Sequence, residues 1–248
     1  MTAAYGERVE TIVAALAAQQ AELTSLLDDD AWARPSRCEG WSVADVVLHL
    51  AQTNEMAQAS IDGTFGDWAN GFPTNARDVD EGADLLVARE RGASIDELRT
   101  RWLDGAARMC ESFRAIDPSS RVQWVAGTMA ARTLATTRLA ETWIHTNDIA
   151  PVAPTARLEH IARLAWRTIP HAFGREGLLP PGATAFRLAA PGGGRWDFEP
   201  DVAPVNVIEG DAVELCEVAS RRVPVRHTSL RASGPDAAKV LELVRTWA

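Results

Sequence analysis

Up to Pro154 the chain is written in the period of the α-helix and cut into segments by start and stop signals, which limits this half to a helix bundle. From about Glu7 to Leu27, apolar residues recur at helical spacing (Val9, Ile12, Val13, Leu16, Leu23, Leu26, Leu27), and Asp28-Asp29-Asp30 ends the run. Ser42-Val-Ala-Asp45 has the form of a capping box and opens a helix expected to reach about Ala59. Residues 61–77, with Gly63, Gly66, Gly71 and Pro73, read as a long loop whose Trp68 and Phe72 either border a ligand or pack back onto the bundle. A helix over Val79 to Arg91 follows, and Ser94-Ile-Asp-Glu97 is a full capping box for a long helix to about Ile116, stopped by Asp117-Pro118. After an extended piece at Val122–Val125, the last long helix of this half is expected from about Thr128 to Ile149.

Beyond Pro154 the pattern changes. One helix over Thr155–Phe173 leads into short runs bounded by Gly or Pro, namely Thr184–Ala189, Gly194–Phe198 and Val205–Ile208, which read as strands. Pro191-Gly-Gly-Gly194 lacks the Lys-Ser/Thr ending of a phosphate loop and reads as a hairpin turn. A helix over Asp211–Ala219, an extended Val223–Ala232 and an amphipathic helix from Pro235 to Trp247 complete the chain. The expected class is therefore α+β, with a four-helix bundle over residues 1–152 and a small α/β domain over residues 153–248.

Composition removes several functions. A net charge of −9 argues against a general nucleic-acid surface. No apolar run approaches the ~18 residues of a membrane span, and no secretory signal is visible, so the expected location is cytoplasmic. Cys38, Cys110 and Cys216 are odd in number and far apart, and they outline no disulfide framework.

The chemistry is centred on Arg138-Leu-Ala-Glu-Thr-Trp-Ile-His-Thr-Asn-Asp148. Glu141 and His145, four residues apart on a helix, project from one face and can hold one metal ion. His49, in Gly40-Trp-Ser-Val-Ala-Asp-Val-Val-Leu-His-Leu50, is the candidate third ligand. Two plainer readings stand beside this one: His49 as a hydrogen-bonded core histidine, and Arg138, three residues before Glu141, as the partner of that carboxylate. Cys38, in the loop before the His49 helix, lies within reach of the site or is a bystander thiol.

Taken together, Pro35-Ser-Arg-Cys-Glu-Gly-Trp-Ser-Val-Ala-Asp-Val-Val-Leu-His-Leu50 and Leu139-Ala-Glu-Thr-Trp-Ile-His-Thr-Asn-Asp148 resemble the DinB-like, mycothiol-dependent maleylpyruvate isomerase family of actinobacteria. The resemblance implies a divalent metal, usually zinc, on His49, Glu141 and His145, with mycothiol bound through its thiolate as co-substrate for a small-molecule electrophile. It implies an isomerase or S-transferase. Asp148 is a candidate to receive the N–H of a ligating imidazole. Either Arg222 or Arg221, adjacent in a polar turn of the second domain, is expected to face the metal cleft and serve turnover by holding negative charge on the substrate. Two histidines and a carboxylate also suit a non-haem iron oxygenase, and a structural metal would suit a non-enzymatic ligand-binding protein.

Overall fold

The computed structural model describes residues 3–73 and 76–246, with side chains from Glu10 onward. Of the expected elements, the Val9 side chain, Thr74 and Asn75 of the long loop, and Trp247 lie outside the described residues. The chain divides into two compact units, Met1–Val152 and Ala153–Ala248.

In the first unit the long helices are α1 (Ala3–Ser25), α2 (Val43–Ile61), α5 (Ile95–Ala115) and α6 (Ala131–Ile149), with the shorter α3 (Phe65–Ala69) and α4 (Val79–Glu90) between α2 and α5. The four long helices pack as a closed ring of neighbours, α1 on α5 and α6, and α2 on the same two. Both capping boxes form as read: Ser42 and Asp45 exchange bonds at the start of α2, and Ser94 and Glu97 do so for α5. Each such cap satisfies two helix N–H groups that otherwise have no partner within the helix. The core is built from Leu23, Trp32, Val46, Val47, Leu50, Leu98 and Trp102.

The buried helix α6 has no polar stripe. Its Thr136, Thr137, Thr142 and Thr146 are buried, and each hydroxyl bonds back to the carbonyl four residues earlier. A helix can therefore carry threonines through a core without leaving a buried polar atom unsatisfied. Thr146 also accepts from Gln19 Nε2 of α1 at 3.1 Å.

Two stretches of the first unit differ from expectation. The loop after α2 contains α3, and its aromatic side chains pack on one another and on neighbouring elements: Phe65 meets Trp68 and, outside the loop, Trp124, and the Phe72 ring lies against Gly82 of α4. The extended piece is the first arm of a hairpin, β1 (Arg121–Trp124) with β2 (Gly127–Ala130), so α6 begins at Ala131 and not near Thr128. Gly127, at φ 103°, makes the turn that periodicity alone cannot display.

In the second unit the single expected helix is two, α7 (Leu158–Arg167) and α8 (Ile169–Arg175), parted at Thr168, two residues before Pro170. Strands β3 (Thr184–Ala189), β4 (Arg195–Phe198), β5 (Asn206–Asp211) and β6 (Arg231–Ser233) form one sheet in the order β4-β3-β5-β6. The glycine-rich turn joins β3 to β4 antiparallel, with Gly192, Gly193 and Gly194 all at positive φ, whereas β3 and β5 run parallel. Helices α9 (Ala212–Ala219) and α10 (Ala237–Leu243) pack on the sheet, and Asp211 caps α9 through Val213 and Glu214 N–H. Most of the expected extended stretch Val223–Ala232 is irregular, with a short 3₁₀ turn at Val225–His227. Among the described residues, no helix is long and apolar enough to cross a membrane.

Candidate metal centre

His49 sits about a third of the way along α2, and Glu141 and His145 lie one turn apart on α6. The packing of α2 on α6 brings one ligand-type atom of each to within 4.8 Å of the others. His49 Nε2 and His145 Nε2 lie 3.8 Å and 3.7 Å from the same Glu141 oxygen, Oε2. Both separations are too long for hydrogen bonds. They are close to the roughly 3.3 Å between two ligands that each hold zinc at ~2.0–2.1 Å in tetrahedral geometry. The two imidazoles meet edge to face, centroids 5.0 Å apart, and the Trp41 ring lies tilted against His49 at 5.3 Å.

The electrostatics suit ligation. Burial holds His49 below its ordinary value, hence as the neutral imidazole a metal needs. Burial alone would raise the Glu141 carboxyl, but the neighbouring His49, His145 and Arg138 outweigh it and hold the group at about 2. Arg138 is fully buried, and its guanidinium is turned to α2: Nη2 donates to Thr53 Oγ1 at 2.8 Å and to Asn54 Oδ1 at 3.2 Å. Its Nε and Nη1 are buried without a hydrogen-bond partner, and burial draws the group down to about 10. Arg138 acts on Glu141 through space; the carboxylate itself faces the histidines.

The far side of His145 is also occupied. Its Nδ1 lies 3.0 Å from Asp148 Oδ2, so the expected partner for the imidazole N–H is in place. Cys38 Sγ lies 3.3 Å from the same Asp148 oxygen and 3.8 Å from His145 Nδ1. The loop that carries Cys38 is braced. Pro35 and Ser42 form a bridge, Ser36 N–H donates to Trp41 O, and Cys38 N–H donates to Ser36 Oγ. Arg37 N–H bonds Asp148 O at 2.8 Å and fastens the loop to the end of α6. Thr53, Asn54 and Trp41 were not singled out from sequence; the one available signal was their place on or just before the helix of His49.

Arg221 and Arg222 follow α9 in the second unit. Arg222 N–H bonds Glu217 O and Arg221 N–H bonds Val218 O, the two bonds of a Schellman stop, with Arg221 in the left-handed region at φ 62°. Arg221 Nη1 donates to Glu242 O, and Arg222 Nη1 to Ser220 O.

A helix bundle with a partly buried two-histidine, one-carboxylate cluster, continued by a small α+β unit, defines a class of bundle proteins built around a candidate metal centre. Residues 13–150 match the family described as the mycothiol maleylpyruvate isomerase N-terminal domain, and the chain belongs to that family. An uncharacterised protein of Mycobacterium tuberculosis, known from strains H37Rv and CDC 1551, is 32% identical over 95% of both chains. Crystal structures of the mycothiol-dependent maleylpyruvate isomerase, one of them of a histidine-to-alanine variant, share the fold. They superpose with a TM-score of 0.60 over 92% of each chain, at 21% and 22% identity.

Proposed function

We propose that this chain is a metal-dependent enzyme using mycothiol as co-substrate, an isomerase or S-transferase for a small electrophilic molecule. The observation that carries the reading is the convergence of His49, Glu141 and His145 on a space wider than a hydrogen bond. These three would hold a divalent ion, zinc by the chemistry of the donors. Such an ion would supply Lewis acidity and lower the pKa of a coordinating thiol, whose proton passes to solvent, so that the thiolate is available as a nucleophile at neutral pH. Three protein ligands leave a position for that thiol.

The chain's own residues do the rest. Asp148 fixes the tautomer and tilt of His145. Buried Arg138 adds positive charge on the Glu141 side, which favours an anionic sulfur over a neutral one. Trp41 keeps water from one face of His49. Arg222, or Arg221, is proposed to serve turnover by pairing with negative charge on the substrate, and not to bind metal. The iron-oxygenase alternative is the weaker one, because that triad is usually carried on a β-barrel and these ligands stand on helices.

The test uses Cys38→Ser protein loaded with cobalt, because Cys38 is the only cysteine in a ligand cluster among the described residues, so that a thiolate band in the variant reports added thiol. Mycothiol should produce a sulfur-to-cobalt charge-transfer band. A spectrum unchanged at saturating mycothiol contradicts the reading.

A further inference from the structure

His145 stands between two triangles of ligand-type atoms. Its Nε2 faces Glu141 and His49, while its Nδ1 faces Asp148 Oδ2 and Cys38 Sγ. The second triangle has sides of 3.0 Å (Nδ1 to Oδ2), 3.3 Å (Sγ to Oδ2) and 3.8 Å (Sγ to Nδ1). Zinc bound tetrahedrally at ~2.3 Å from sulfur and ~2.0–2.2 Å from nitrogen and oxygen sets its ligands roughly 3.3–3.6 Å apart. The observed sides bracket that range.

We propose that Cys38, His145 and Asp148 form a second cation site, for a thiophilic divalent ion such as zinc, in which His145 bridges two ions through its two ring nitrogens. The ion replaces the Cys38 S–H and His145 N–H protons now directed at Asp148, and both pass to solvent. Only the bridging rests on the function proposed above; the Cys38 site stands on its own three ligands.

The donor set points to a soft or borderline ion. Thiolate with imidazole suits zinc, whereas calcium and magnesium take oxygen ligands. The site is built before any ion arrives. Asp148 and His145 are held three residues apart on α6, and the 35–42 loop is braced and tied to Asp148 O, which fixes Cys38 over the ring edge. Asp148 is 1% exposed and His145 7%, so the ion would sit against the bundle with Cys38, half-buried, on its outer side. The other two thiols are in no such setting. Cys110 donates to Gln20 Oε1, Cys216 to the Leu158 carbonyl, and neither belongs to a cluster of ligands among the described residues.

The two cation sites are separable by one titration. The protein is stripped with a chelator and titrated with cobalt in the absence of mycothiol, reading metal per chain and the thiolate-to-cobalt band. The parent should bind two equivalents and show the band. Cys38→Ser should bind one equivalent with no band, and His49→Ala should bind one with the band kept. A parent that binds cobalt with no thiolate band overturns the second site, and Cys38 then only donates its S–H to Asp148. If the parent binds one equivalent, with a band that His49→Ala leaves intact and Cys38→Ser abolishes, the Cys38 site stands. The bridging and the metal reading of His49 then both fail.

Discussion

Arg138 and Glu141 lie one turn apart on α6, yet no ion pair joins them: the guanidinium bonds Thr53 and Asn54 of α2, and the carboxylate turns to His49 and His145. This divides the labour on one helix face. The arginine contributes field, and the carboxylate is left for an ion. Removing the arginine's charge while keeping its bulk should therefore relieve repulsion on a bound cation. Arg138→Met is expected to bind zinc more tightly, on the order of tenfold, by chelator competition. Unchanged or weaker binding would mean that its charge does not reach the site.

Asp148 holds His145 from behind, at 3.0 Å. Partners of this kind typically contribute ~10–100-fold in metal affinity. In the Cys38→Ser background, where only the His49, Glu141 and His145 site remains, Asp148→Asn should lose affinity in that range while its circular dichroism stays that of the parent. Parent-like affinity in the variant would reduce Asp148 to a helix-end carboxylate.

Acid should destabilise the metal-free protein in two windows. Burial places His49 below 6.5 in the folded state, so below that pH the unfolded chain binds the extra proton and stability falls as pH drops. Glu141, lowered from 4.5 to about 2, adds a second loss as pH falls through that interval. His49→Gln should flatten the fall of Tm just below pH 6.5 and also narrow the lower window, because His49 is one of the groups that hold Glu141 down. An equal slope in parent and variant would show that His49 is protonated at no cost in the fold.

The stop of α9 places Arg221 where glycine is the usual choice, and a non-glycine residue there costs ~1–2 kcal/mol. Arg221→Gly is expected to raise stability by about 0.5–1 kcal/mol, read as a higher Tm. Arg222→Ala should keep full metal content and lose much of kcat/KM on any substrate found. Parent-rate turnover with both arginines replaced would assign the second unit another role.

The starts of α2 and α5 could be read because they are chemical: Ser42 with Asp45, and Ser94 with Glu97, are local signals that the fold had no reason to override, whereas α6 opens at Ala130 without a side-chain cap. The grouping of His49 with Glu141 and His145 followed from one helical turn plus a family resemblance. What periodicity could not supply was the direction of long side chains. Nothing in the spacing of Arg138 shows that it reaches α2 and not Glu141, three residues on. Cys38 was placed near the site only in general terms, because its approach to Asp148 depends on a turn held by Gly40 at φ 75° and by the bond from Arg37 N–H. The hairpin at Gly127 and the α7–α8 break failed for a similar reason, since short turns carry no period.

The central claim is the metal centre of His49, Glu141 and His145, and metal analysis of purified protein tests it most directly. Cys38→Ser is the reference, with His49→Ala, Glu141→Ala and His145→Ala each made in that background. The reference should hold one zinc per chain, and each further variant should lose it with helical circular dichroism largely intact. Full zinc retention in any two of the three would contradict the assignment.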